Sequence, residues 1–296
     1  MVAPLRALAR HTIDLSAILR GLVLPGSISD RVTAAYVKHL FGEATLQDLP
    51  DDRKQGNPRF VINATNLSTG ALWRFMRPYM ADYRFGRVSD SRTSLATAVA
   101  ASSAFPPVLS PLRLDVDPGD VQPMRGADLF EKLRGTRPTL SDGGVYDNLG
   151  LETVWKKYKT VLVSNGGGQL RPDAKPKGDW LRGGIRVANV IDNQVRSLCK
   201  RQLIDSYLDG RRDGAFWSIR GEIADYPAPG SLTAAVEVTS ELAAVPTRLA
   251  KIAARQQEQL INWGYAITDA AMRSYVDLTM SEPVSFPYPG SALSAL

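Results

Sequence analysis

The sequence places Asp142 where a carboxylate could do chemistry. Asp142 follows the apolar Leu140 and precedes Gly143, Gly144 and a stretch with helical apolar spacing. Glycine tolerates a positive φ and has no Cβ, so the chain can turn sharply and leave room beside the carboxylate for a partner or a ligand. An aspartate in such a turn can accept a proton from a nucleophile. The motif alone also fits a plain strand-to-helix turn capped by Asp142, which is the commoner case.

Two upstream segments change the interpretation of this motif. Residues 60–70 are an apolar run that ends in Ala-Thr-Asn and is followed by a Thr-Gly turn, and residues 95–107 are rich in alanine and serine and end in Ala-Ser-Ser-Ala-Phe-Pro-Pro. Together with Asp142-Gly143-Gly144, and in this order, they closely resemble the patatin-like phospholipases. The resemblance covers roughly residues 45–163, and a weaker one recurs near the C-terminal end.

The resemblance implies an activity and a role for Asp142. In complete members of the family a serine attacks a lipid ester carbonyl, the aspartate at the position of Asp142 accepts its proton, and backbone N–H groups of a glycine-rich loop hold the oxyanion. We therefore expect Asp142 to be the base of a serine–aspartate dyad, in a motif formed by Asp142, Gly143 and Gly144. The implied substrate is a lipid ester or a phospholipid, and no metal or other cofactor is expected.

The chain departs from the family at the nucleophile and the oxyanion loop. It contains no Gly-x-Ser-x-Gly motif, and its nearest imitations surround Ser27, Ser68 and Ser291. The first two each lack one of the required glycines, and the third lies in a polar, proline-flanked tail. Both glycines are needed because the serine occupies a strained turn crowded by a strand and a helix. We therefore expect residues 1–296 to be a truncated part of the enzyme, inactive alone, from a mis-assigned start or a truncated gene.

Two other functions stay open. A non-catalytic remnant that binds lipid surfaces or a partner protein would carry the same motifs, and a genuine start at Met1 would favour it. An in-frame Gly-x-Ser-x-Gly segment encoded upstream would favour the enzyme. A nucleotide-binding protein is the third alternative, because an apolar strand at residues 160–164 runs into Asn165-Gly166-Gly167-Gly168. No helix opens directly after these glycines, so the phosphate site would be incomplete.

The net charge of the chain indicates which kinds of partner it could bind. The net charge is +6, with 36 basic and 30 acidic residues, which suits peripheral contact with an anionic membrane and does not by itself indicate specific nucleic-acid binding. The main interpretation of the densest basic cluster is a solvated helix face, and contact with anionic headgroups is the alternative. The members of this cluster are Arg196, Lys200, Arg201, Arg211 and Arg212.

Few other residue types offer chemistry. The single Cys199 excludes an intramolecular disulfide. A serine–histidine–aspartate triad would have to use His11 or His39, whereas a dyad needs neither. No stretch reaches the 18 or so apolar residues of a membrane span, and Arg6 and Arg10 precede no hydrophobic core of a signal peptide. We expect a cytoplasmic or peripheral membrane location.

The elements that must position Asp142 are predicted to be mixed α and β. We expect a three-layer α/β/α domain with a mostly parallel sheet, whose N-terminal strands are missing. A single partial domain would span residues 1–296, with a helical lead-in over 1–44, a best-matching core over 45–165 and a helical C-terminal part over 180–280. The predicted strands are residues 60–62, 71–75, 83–85, 160–164 and 217–219, and the predicted helices are residues 15–22, 32–40, 94–104, 187–208 and 249–275.

Overall fold

The computed structural model describes residues 2–13, 27–106, 109–168, 170 and 172–294. The chain divides into two compact units. The first unit contains Met1–Thr153 and Leu249–Lys251, and the second contains Val154–Arg248 and Ile252–Leu296. The helix that we predicted over residues 15–22 lies outside the described residues.

A seven-stranded sheet organises the first unit. Its strand order is β5-β7-β1-β2-β3-β4-β6, and every neighbouring pair is antiparallel. The strands are β1 Ile62–Asn66, β2 Ala71–Phe75, β3 Tyr79–Asp82, β4 Gly86–Ser89, β5 Leu112–Arg113, β6 Val121–Gln122 and β7 Thr139–Asp142.

Our expectation of a mostly parallel sheet is therefore wrong for this unit. The connections between β1, β2, β3 and β4 are only three or four residues long. Parallel neighbours need a crossover of a dozen or more residues, so such short connections permit only antiparallel hairpins. The fold remains mixed α/β, because helices accompany the sheet.

The predicted strand at residues 83–85 is also wrong, since these residues form the turn between β3 and β4. The Asp82 carboxylate accepts a hydrogen bond from the Arg84 backbone N–H at 2.8 Å, which favours a turn over an extended strand. Phe85 nevertheless points into the core, where its ring centroid lies 5.4 Å from that of Trp73. Its apolar character reflects this burial and not membership of a strand.

The helices of the first unit include α3, which matches the helix that we predicted over residues 94–104. Helix α3 begins after Ser94, whose side chain accepts from the Thr97 N–H at 3.0 Å and caps the helix. Its alanines are buried, which lets the helix backbone pack closely. The helices are α1 Val2–Leu8, α2 Ile28–Tyr36, α3 Leu95–Ser102, α4 Phe130–Leu133 and α5 Gly144–Asp147, with a π-helical turn at Val37–Phe41.

The second unit contains a parallel strand pair, β8 Thr160–Asn165 and β9 Asp213–Ser218. The long helix α6, Trp180–Leu208, connects the two strands and begins earlier than the predicted residue 187. Helices α7, Val236–Ala243, and α8, Ala254–Tyr275, follow. On α8 the buried Trp263 donates its indole N–H to the carbonyl of Ile219 at 2.9 Å. Within the described ranges, no helix is long and apolar enough to cross a bilayer.

Candidate functional site

Asp142 is the last residue of β7 and pairs with Ala64 of β1. Its backbone N–H donates to the carbonyl of Ala104 at 2.9 Å, and the N–H of Gly143 donates to the carbonyl of Ser102 at 3.2 Å. The turn is therefore hydrogen-bonded to the chain at the C-terminal end of α3. These bonds give a physical reason for the Asp-Gly-Gly motif and the alanine- and serine-rich segment to occur together.

The third segment of the resemblance is joined to the same turn through Thr65. The Thr65 hydroxyl donates to the carbonyl of Asp142 at 2.7 Å and accepts from the Tyr146 N–H at 3.1 Å. Thr65 is buried in β1. All three quoted segments thus meet around the Asp142 backbone, as an active-site scaffold requires.

The Asp142 side chain is half-buried and has a fixed orientation. Its Oδ1 accepts the backbone N–H of Gly144 at 2.6 Å, a short charge-assisted bond. This local bond is the feature that the turn-cap interpretation predicts. It also orients the carboxylate, so the same geometry is compatible with a catalytic base.

The two glycines are needed for space and not for an unusual φ. Gly143 has φ −61° and ψ −30°, and neither Gly143 nor Gly144 is among the residues with positive φ. Our expectation that these two glycines adopt a positive φ is therefore wrong. A Cβ on Gly143 would lie 2.5 Å from the carbonyl oxygen of Asn63, and one on Gly144 would lie 2.9 Å from Oδ1 of Asp142.

Tyr36 lies beside Ser103, at the C-terminal end of α3, a contact that the sequence did not reveal. Its side chain is 4% exposed, and its hydroxyl lies 3.2 Å from the Ser103 hydroxyl. Burial raises the pKa of Tyr36 and the negative charge of Asp142 raises it further, while the Ser103 hydrogen bond acts in the opposite direction. The phenol therefore stays protonated at neutral pH. A tyrosine on the apolar side of a helix looks like any core residue in the sequence.

The two histidines pair with each other. The ring centroids of His11 and His39 lie 4.6 Å apart, and the rings are stacked. Desolvation lowers the pKa of His39, and the nearby His11 and Lys38 lower it further. Neutral imidazole is therefore favoured at His39.

The serines of the three imitation motifs have structural roles. Ser27 caps α2 by accepting from the Asp30 N–H at 3.1 Å. Ser68 lies in the β1–β2 hairpin turn, and its N–H donates to Asn66 Oδ1 at 3.0 Å. Ser291, in the second unit, is buried and donates to Glu258 at 2.8 Å. The contacts of Ser27 and Ser68 are those of a helix cap and a turn, whereas Ser291 joins its segment to the Glu258 carboxylate on α8.

Two members of the basic cluster, Arg196 and Arg212, are half-buried, whereas Lys200, Arg201 and Arg211 are exposed. Arg196 donates to Asp192 at 2.7 Å and to the Gly168 carbonyl at 2.6 Å, and the Arg212 guanidinium lies 3.7 Å from the ring centroid of Trp155. The interpretation as a solvated helix face is therefore wrong for Arg196 and Arg212. Lys200 also lies over the Phe216 ring, at 4.9 Å.

The glycine-rich segment after β8 accommodates an arginine. A Cβ on Gly167 would lie 2.6 Å from an Nη atom of Arg196. The next helix, α6, begins at Trp180 and not directly after the glycines. A phosphate cradle needs both a vacant anion site and an adjacent helix N-terminus, so this geometry does not favour the nucleotide-binding alternative.

Comparison with known families identifies one match. A family model described as patatin-like phospholipase matches residues 6–155. This span is half of the chain and contains all three segments that meet around Asp142. It extends further towards the N-terminus than the resemblance over residues 45–163. A search of the curated proteins found no match.

Proposed function

This chain belongs to the patatin-like phospholipase family, and from that premise we propose that it is the C-terminal part of a lipid acyl hydrolase with Asp142 as the proton acceptor. The observation that carries the proposal is the family match over residues 6–155, because it includes the turn that holds Asp142. The family acts on lipid substrates, so a lipid ester or phospholipid is the proposed substrate.

In the proposed reaction a serine hydroxyl attacks the ester carbonyl while its proton passes to the Asp142 carboxylate. The Gly144 N–H holds Oδ1 at 2.6 Å, so the base has a fixed orientation before the substrate binds. The leaving alcohol then takes the proton, and water hydrolyses the acyl-enzyme with Asp142 again accepting a proton.

In this proposal the nucleophile and the oxyanion loop are supplied from outside residues 1–296. No Gly-x-Ser-x-Gly motif occurs in the sequence, and both elements are required with the base in one place. We propose that they are encoded upstream, so that residues 1–296 form one partial patatin-like domain and are inactive alone. Lipid as the substrate class would bring the complete protein into peripheral contact with a membrane.

The alternative is a non-catalytic remnant that binds a lipid surface or a partner protein. It is consistent with the same family match, and it needs no nucleophile from outside residues 1–296. Sequencing the DNA upstream of the Met1 codon separates the two functions. An in-frame Gly-x-Ser-x-Gly segment favours the hydrolase, and its absence favours the remnant.

A fluorophosphonate probe tests the assignment on the chain itself. Purified residues 1–296 should not react with the probe and should not hydrolyse short-chain or long-chain esters above background, since the nucleophile is absent. Turnover that the probe abolishes, with the label mapped to a serine of this chain, would contradict the proposal.

A further inference from the structure

Helix α6 turns its apolar side to solvent. Six apolar side chains, at spacings that keep them on one side of the helix, are between 45% and 86% exposed. We call this set the outer stripe, and its members are Trp180, Leu181, Val187, Ile191, Val195 and Leu198.

The polar side of α6 faces the protein instead. Arg186, Asn193, Arg196 and Ser197 are half-buried, and Arg196 reaches the Gly168 carbonyl. A surface helix of a globular protein ordinarily buries its apolar side and exposes its polar side. A contiguous exposed apolar surface indicates a binding partner, so the outer stripe is the surface to explain.

Charge favours an anionic partner over a second copy of the chain. Residues 173–201 contain seven Lys or Arg and three Asp, and Lys175, Lys177 and Arg201 are exposed. Pairing two copies through α6 would bring two positive segments together, which is unfavourable. An anionic lipid surface attracts the same segment.

The position of Trp180 points to the same partner. It is the first residue of α6 and is 86% exposed, although its ring could bury more apolar area than any other side chain. Tryptophan is enriched at membrane–water interfaces, where the ring enters the apolar boundary and the indole N–H stays hydrated. Arg182, Lys200 and Arg201 of α6 are exposed alongside this apolar surface, and exposed basic residues together with tryptophan, leucine and valine are typical of interfacial helices.

We propose that the outer stripe of α6 docks the chain on an anionic lipid bilayer, with α6 lying in the plane of the surface. The inference rests on the proposed function only in its choice of lipid as the partner. Lipid binding is measured without turnover, so the docking surface and the hydrolase can fail separately.

Vesicle sedimentation of the full chain tests the proposal. Vesicles of phosphatidylcholine with phosphatidylglycerol are compared with vesicles of phosphatidylcholine alone. The test variant is Val187→Asn with Ile191→Asn, and the matched control is Leu278→Asn with Val284→Asn, which changes two exposed apolar residues elsewhere in the second unit. The unchanged chain and the control should bind the anionic vesicles, more weakly in high salt. The test variant should bind roughly 10-fold more weakly or worse, since it loses two inserted side chains.

Three outcomes would overturn the proposal. The first is that the test variant and the control bind the vesicles equally well. The second is that the unchanged chain does not bind them. The third is that light scattering shows a dimer of the unchanged chain and of the control but not of the test variant. The last would show that a second copy covers the stripe. Circular dichroism checks the fold of each variant. Should the double variant lose helix content, Trp180→Ser, which changes one largely exposed side chain, gives the same comparison.

Discussion

Two aspartates that end strands of the same sheet have different surroundings. Asp82, at the end of β3, is 1% exposed and accepts hydrogen bonds from Asn66 Nδ2 at 3.0 Å, from the Thr69 hydroxyl and from the Arg84 N–H. Asp142, at the end of β7, is half-buried with one oxygen on the Gly144 N–H. Asp82 therefore stabilises the hairpin, whereas Asp142 is reachable from solvent.

This contrast predicts that replacing aspartate by asparagine lowers the free energy of unfolding by different amounts at the two positions. Asp82→Asn should lower the free energy of unfolding by about 1–3 kcal/mol, because a buried amide NH₂ would face the Thr69 and Asn66 donors. Asp142→Asn should cost less than Asp82→Asn, because Asp142 is only half-buried and the asparagine side-chain oxygen can still accept the Gly144 N–H. Urea unfolding of both variants measures the difference. An equal loss for Asp142→Asn would make Asp142 a structural residue.

Gly143→Ala should destabilise the chain by about 1–3 kcal/mol, because the new Cβ meets the Asn63 carbonyl on the rigid strand β1. Gly135→Ala is the control, as a Cβ there meets nothing within 4 Å and φ is not positive. Melting curves should show a lower Tm for Gly143→Ala alone. The same Tm for both variants would contradict the tight packing of the turn.

At the scale of elements, two half-buried phenols stabilise the second unit. The Tyr207 hydroxyl donates to the carbonyl of Val161 in β8 at 2.7 Å, and the Tyr226 hydroxyl donates to the carbonyl of Phe216 in β9 at 3.2 Å. Desolvation by burial raises the pKa of each to about 12. Both phenols are therefore protonated in the folded state at a pH where they ionise in the unfolded chain.

The stability that these two phenols contribute should consequently be lost at alkaline pH. The folded pKa of Tyr207 lies above its ordinary value of 10.0, so its contribution is complete below pH 10 and is lost as the pH rises towards about 12. Tyr207→Phe should make this decline less steep, as one titrating group is removed. Unfolding free energies measured from pH 8 to pH 12 test this. An unchanged slope in the variant would show that Tyr207 ionises alike in both states.

Local sequence predicted several of these elements, and tertiary context decided the rest. The β1–β2 hairpin followed from an apolar run and a Thr-Gly turn, and α3 followed from its alanines and the Pro-containing stop. Strand direction was wrong because the expectation rested on alternating strand and helix signals and on the family resemblance, whereas the short connections between strands decide it. The contact of Tyr36 with Ser103 was missed because the two residues are 67 positions apart in the sequence and meet only after folding.

At the scale of the whole molecule, the family match and the first unit nearly coincide. The match ends at residue 155, and the continuous part of the first unit ends at Thr153. The proposed base therefore belongs to the first unit. The proposed lipid-docking helix belongs to the second, whose residues lie mostly beyond the family match.

The most direct test of the central claim is an esterase assay on an extended chain. The extension adds the in-frame codons upstream of Met1, and three proteins are compared with a fluorogenic acyl ester: residues 1–296, the extended chain, and the extended chain with Asp142→Asn. We expect background rates for the first, turnover for the second, and a loss of about 10²-fold or more for the third at an unchanged Tm. Full activity of the Asp142→Asn protein would contradict the account and leave Asp142 as a turn residue.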